Sequence, residues 1–257
     1  MIFFFSGTGN SEYAARKIAE KTGDAVVSIG KCVKDGKKDF YISEEEFVGF
    51  VFPVYAWDAP KIVIDFVREM RLTNYRGQYA YAVFTCGASA GVVCGILKKA
   101  LAGKGVALKF ARDLVMPDNY IIMFNPPEPD RQEVLLAAAD AEIDKIAGEI
   151  NKKAQSLRMI HKSPPGLASR VLSVFFNTFS MGTRKFHASG ACRSCGLCEE
   201  ICPVRAIAVV EGRPRWRGGA CAKCMGCISR CPATAIQYGE STIDRPRYIH
   251  PIYRRNR

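Results

Sequence analysis

Histidine is scarce here, three in 257 residues, and His161, His187 and His250 stand at no ligand or triad spacing, so imidazole is assigned no chemistry. No basic stretch precedes the apolar start Met1–Phe5, which runs straight into a glycine-rich turn, so a secretory leader is not read. Without that leader, a secreted disulfide framework is excluded as the use of the cysteines. Long pure apolar runs are also missing. The nearest, residues 77–97, is uncharged over 21 positions but carries Gln78, Thr85, Ser89 and four glycines. It reads as a strand, a turn and a helix start, and no transmembrane span is expected. Acidic residues are absent from 158–184, which holds four basic ones.

What is abundant is cysteine, with eleven residues, eight of them between Cys192 and Cys231. Reduced cysteines in a cytoplasmic chain point to metal or redox chemistry. Hydrophobic residues at 48% and charged residues at 24% are ordinary for a globular chain and exclude wholesale disorder. The formal charge of +12 is uneven. Residues 1–157 balance 20 basic against 20 acidic side chains, whereas 185–257 set 13 basic against 5 acidic. The basicity therefore belongs to the linker and the cysteine-rich end, either as a solvated face or, in part, as local compensation for anionic clusters.

Along 1–157, short apolar runs alternate with helical periodicity. Residues 1–5, 46–52, 79–84 and 106–116 read as buried strands, with a fifth near 25–29. Helices are expected over 11–21, 60–70, 90–101 and 131–157. This succession predicts an α/β fold, a doubly wound five-stranded parallel sheet with helices on both faces. The KSPPG stretch at 162–166 marks a boundary, and 167–181 could form a short apolar helix within a linker over 158–185. A cysteine-rich domain over 186–240 and a basic tail over 241–257 complete the expected organisation.

The cysteine-rich part is a duplication. The run from Cys192 and the run from Cys221 match in every cysteine, in the proline after the fourth cysteine and in the Ala-Ile pair, at an offset of 29. Each run has the spacing C-x₂-C-x₂-C-x₃-C-P, in which the fourth cysteine serves the other cluster. Cys192, Cys195, Cys198 and Cys231 are therefore expected to hold one [4Fe–4S] cluster. Cys221, Cys224, Cys227 and Cys202 are expected to hold the second. The competing reading is structural zinc, which usually pairs two C-x₂-C knuckles across a longer loop. The region resembles the bacterial two-cluster ferredoxins, small α+β electron carriers with pseudo-twofold symmetry.

After the first strand come Ser6, Gly7, Thr8, Gly9, Asn10 and Ser11, and then a helix. Strand, tight loop and helix N-terminus together form an anion site. No lysine follows as a P-loop requires, and Glu12 stands where a dinucleotide fingerprint has its third glycine. A hydroxyl-rich loop without a base suits a monophosphate. Two further loops, Pro53-Val54-Tyr55-Ala56-Trp57 and Thr85-Cys86-Gly87, should open on the same crevice, with Asn119 and Tyr120 as a further wall. Together these loops resemble those of flavodoxins, which bind FMN. The resemblance implies that Ser6–Ser11 hold the phosphate and that Tyr55 and Trp57 cover the ring. Cys86 reads as a small loop residue offering its backbone, with a reactive thiol as the alternative.

In domain order the chain resembles the flavodoxin–ferredoxin fusion proteins of anaerobes. That resemblance implies FMN and two [4Fe–4S] clusters exchanging electrons within one cytoplasmic carrier. The alternative is an FMN-dependent reductase of a small substrate fed by the clusters, for which Asp58 and Tyr120 are the only acid–base candidates near the loops. Redox proteins, an acidic ferredoxin or a reductase, are the expected partners. Nucleic acid is not, since the tail has Tyr248 and Tyr253 among its arginines but no recognition motif. Oligomeric state is left open.

Overall fold

A computed structural model describes residues 1–161, 182–218 and 221–253. The expected apolar helix over 167–181 and the last residues of the basic tail lie outside them. The N-terminal body is a five-stranded parallel sheet in the order β2-β1-β4-β6-β7, built from β1 (Ile2–Phe4), β2 (Val26–Ser28), β4 (Val48–Pro53), β6 (Ala80–Cys86) and β7 (Leu108–Val115). A separate parallel pair joins β3 (Asp39–Tyr41) to β5 (Arg71–Thr73).

Strand alternation divides the core between two faces. Phe3, Phe5, Phe50, Phe52 and Phe84 point to one face, where α2 (Ile29–Asp35), α3 (Lys61–Glu69) and α4 (Val93–Ala102) cover them. Ile2, Phe4, Val51, Tyr81 and Val83 point to the other, under α1 (Asn10–Thr22) and α5 (Pro129–Asn151). Both faces being buried, the strands read as continuous apolar runs. The strand order reverses between β1 and β4, and the C-terminal ends of these strands are where a doubly wound fold places its ligand.

Two elements depart from the sequence expectation. The last helix ends at Asn151 instead of running to Leu157, because Lys153 turns left-handed (φ 53°) and Ser156 pairs with the β7 backbone, its amide donating to Lys109 O at 3.0 Å. The segment near 25–29 is a short strand followed at once by α2, whose N-cap Ser28 Oγ accepts from the Lys31 amide and whose end is the left-handed Gly36.

The C-terminal body repeats one strand–helix–strand unit. The first unit is β8 (Phe186–Ala188), α6 (Leu197–Glu200) and β9 (Ile207–Val210); the second is β10 (Arg213–Trp216), α7 (Gly226–Arg230) and β11 (Ile236–Tyr238). Each strand pairs antiparallel with one from the other unit, β8 with β11 and β9 with β10, which gives the pseudo-twofold relation. The backbone repeats with the sequence. Ser194 and Lys223 (φ 54° and 55°), Gly196 and Met225 (73° and 58°), and Arg205 and Thr234 (51° and 49°) are left-handed pairs at the offset of 29.

The two bodies share buried surface. Lys34 of α2 donates its ammonium to the Glu199 and Glu200 carbonyls, and Arg205 donates to Lys34 O at 2.6 Å. Ile121, in the loop after β7, is fully buried with Phe186, Met225, Ile228 and Ile236. Residues 241–253 fold back over this junction. Arg245 donates to Ile121 O, and Arg247 donates to the Thr242 and Arg245 carbonyls and to Gln237 Oε1. Those two guanidiniums thus hold the chain together, and Arg247 is pushed below its ordinary pKa by burial.

Candidate functional site: two cysteine sets on a flavodoxin-like crevice

The eight cysteines gather in two neighbouring groups. Cys192, Cys195, Cys198, Cys227 and Cys231 line one cavity, with Pro232 and Ile236 as apolar wall. The Cys198 thiol is raised by burial, with Cys195 and then Cys231 adding to it. In the second set, burial lifts Cys224 to about 12, with Cys221 and Cys202 near enough to add. Cys227 lies well above its ordinary value for the same first reason, followed by Cys224, Cys221, Cys202 and Cys198. Desolvated thiols crowded together hold their protons, and iron loading must displace them.

The fourth cysteines carry a matched feature. The Ala206 amide donates to Cys202 Sγ at 3.2 Å, and the Ala235 amide donates to Cys231 Sγ at 3.3 Å. Amide donors aimed at cluster sulfur favour added electron density. Among the described residues, no three His, Cys, Asp or Glu side chains converge as ligands of a single ion. A cubane does not require that convergence, since each thiolate binds a different iron. The residues present fit two such clusters, and when bound these would supply one-electron storage.

The two sets differ in surroundings. Cys195 is exposed, and Arg193 and Ser194 beside it are exposed too. The second set faces the flavodoxin-like crevice. Cys224 and Ala222 pack on the sheet's aromatic core together with Val54 and Tyr55. The Tyr55 phenol is lifted well above its ordinary value by burial, then by Cys224 and Cys221.

All three front loops meet where the sequence places them, at the C-terminal edge of the sheet. Gly9 (φ 109°) caps α1, and its amide donates to Ser6 Oγ at 3.0 Å. Ser11 Oγ and Thr85 Oγ1 lie 2.7 Å apart, and the Val54 amide donates to Thr85 O. Asn119 Nδ2 donates to Thr8 Oγ1 at 2.6 Å, and Asn10 Nδ2 donates to Pro117 O. Asp118 packs on Gly87 and donates nothing; its carboxylate accepts from the Tyr120 amide. Pro53 ends β4 opposite Thr85. Ala56 and Trp57 are left-handed, and the Trp57 carbonyl accepts from Val92, so this turn packs on Gly91. Cys86 is buried and its thiol is pushed up to about 12 by burial first, then by Asp113. An unreactive loop residue is what that environment makes of it.

Sequence reasoning did not foresee what else stands on the Ser6–Ser11 loop. The Cys224 backbone lies against Gly7, and the segment Tyr248–Tyr253 lies along Thr8–Glu12. Thr8, Asn10 and Ser11 are consequently buried by protein, at 3%, 6% and 1% exposure. FMN does not fit this loop as the chain fills it, because the space a phosphate would take over the glycines holds protein atoms.

Comparison with known proteins agrees with the domain order. Residues 1–92 match the model of a flavodoxin domain, and residues 189–236 match that of a 4Fe-4S dicluster domain. The chain is a flavodoxin–ferredoxin fusion, and its two domains define a redox, electron-transfer protein. Similar solved structures include the Trp repressor binding protein of Bacillus subtilis, at 14% identity and TM-score 0.38, covering 60% of this chain and 99% of that one. Rubredoxin oxygen:oxidoreductase from Desulfovibrio gigas is 17% identical with TM-score 0.34, over 59% of this chain and 36% of that one. An FMN-dependent NADH-azoreductase from Bacillus anthracis, in complex with FMN, is 8% identical with TM-score 0.34, over 58% and 98%. A search of curated proteins found no match. Among the described residues, no helix is long and apolar enough to cross a membrane.

Proposed function

We propose that this chain is a one-electron carrier whose two [4Fe–4S] clusters are held by Cys192, Cys195, Cys198 and Cys231 and by Cys221, Cys224, Cys227 and Cys202. The observation that carries this reading is the crossing of the fourth cysteines, Cys231 lining the first set's cavity and Cys202 lying beside Cys221 and Cys224. The first set, whose Cys195 is exposed, is the side on which a redox partner exchanges electrons. The second set, enclosed against the crevice, is the inner store.

The flavodoxin domain is what points to FMN, with Ser6–Ser11 for its phosphate and Tyr55 and Trp57 for its ring. A relay through FMN would require the crevice to open.

Anaerobic purification with iron, sulfide and zinc analysis tests the reading. About eight irons per chain are expected from two four-iron clusters. In Cys202→Ser, the cluster bound chiefly by the second run should be lost while about four irons remain. Stoichiometric zinc, or loss of the first set's cluster in Cys202→Ser, overturns the assignment.

A further inference from the structure

We propose that the C-terminal segment Tyr248–Tyr253 is the resident ligand of the Ser6–Ser11 loop, and that FMN enters the loop only when this segment lifts. Five contacts seat it. The Tyr248 hydroxyl donates to Asn10 Oδ1 at 2.7 Å, and the His250 amide donates to Thr8 O at 2.8 Å. The His250 ring stacks on Tyr13 at 4.2 Å between centroids. The Tyr253 hydroxyl donates to Glu12 Oε2 at 2.6 Å, and the Arg230 guanidinium lies over the Tyr253 ring at 4.0 Å.

Glycines in such a loop serve close approach of the backbone to a ligand. In this chain the approaching group is the chain itself. A Cβ at Gly9 would lie 2.7 Å from His250 Cβ and 3.3 Å from Ile252 Cγ2. The loop's polar side chains are spent in the same way, Thr8 on Asn119, Asn10 on Pro117 and Tyr248, and Ser11 on Thr85. Glu12 adds the wrong charge for a phosphate, and here it is matched by Arg16 and the Tyr253 hydroxyl. A seated strap and a bound phosphate are therefore alternatives, and the strap sets the fraction of molecules open to flavin.

The inference stands apart from the cluster assignment, because it is read by flavin binding while iron content reads the clusters. FMN is titrated into the anaerobically purified full chain by fluorescence quenching and equilibrium dialysis. Two unlatched forms are compared with it: the full-length double variant Tyr248→Phe/Tyr253→Phe and a chain ending at His250. The expected result is sub-stoichiometric FMN in the unmodified protein and an affinity at least about tenfold higher in the unlatched forms. Tight stoichiometric FMN in the unmodified chain overturns the proposal, as do equal affinities or no binding by any form. If the unlatched forms do not fold, hydrogen exchange on the unmodified chain decides: excess FMN should speed exchange of the His250 amide. FMN binding with that amide still protected overturns the proposal.

Discussion

The carbonyl oxygen of Cys224 lies 1.8 Å from where a side chain at Gly7 would begin, so the second cysteine run rests directly on the front loop of the flavodoxin domain. Two backbones meet there, and neither can step aside as a flexible side chain could. Gly7→Ala should destabilise the folded protein by about 3 kcal/mol. Thermal unfolding measures the loss. Iron analysis should show the second cluster shed before the first, and an unchanged melting temperature would mean that the bodies do not meet at this point.

Asp113 is fully buried, and its carboxylate accepts from the Ile160 amide at 2.5 Å, the His161 amide at 3.0 Å and the His161 ring at 2.8 Å. It ties Ile160 and His161 to β7. Asp113→Ala should cost about 3 kcal/mol by stranding those donors, and Asp113→Asn less, since one acceptor oxygen remains. Chemical denaturation of both variants checks the order, and an equal loss would argue that the carboxylate's charge alone matters.

Alkaline stability should carry the mark of Cys86. Its folded pKa of about 12 stands above the ordinary 9.0, because burial favours the neutral thiol. A raised acid pKa gives stability that is complete below the unfolded value and lost as pH climbs through the folded one. Unfolding free energy should therefore fall between about pH 9 and 12, and less steeply in Cys86→Ala. Tyr79 and Tyr120, each lifted to about 12 chiefly by burial, add to the fall above pH 10. At pH 8.5 a soluble alkylating agent should leave Cys86 unmodified in the native chain, and rapid labelling would contradict its enclosure.

Thr234 is exposed, β-branched and left-handed at φ 49°. That region disfavours a branched side chain by roughly 1–2 kcal/mol. Gln237 Nε2 donates to the Thr234 carbonyl, which substitution leaves in place. Thr234→Asn should raise stability by about 1 kcal/mol, read as a higher melting temperature.

Much of this architecture was legible because long patterns average out local ambiguity. Continuous apolar runs marked four of the five sheet strands, and a repeat of 29 marked the duplication. The pair Asp39–Tyr41 and Arg71–Thr73 escaped notice because three residues with one buried ring carry no period. Helix α2 had local signals, Ser28 at its start and Gly36 at its end, but seven residues made it easy to absorb into the preceding strand. The strap could not be read at all. Tyr248 and Tyr253 look like aromatics in a basic tail, and only tertiary placement, 238 positions from Asn10, gives them their partners.

The twin left-handed positions make the two cysteine units near copies in backbone, yet one opens on water and the other is walled in by Tyr55 and the front loop. Handled in air, such a protein should age in stages, its outer cubane corroding first while the inner one outlasts it as a lone survivor with its own spectrum.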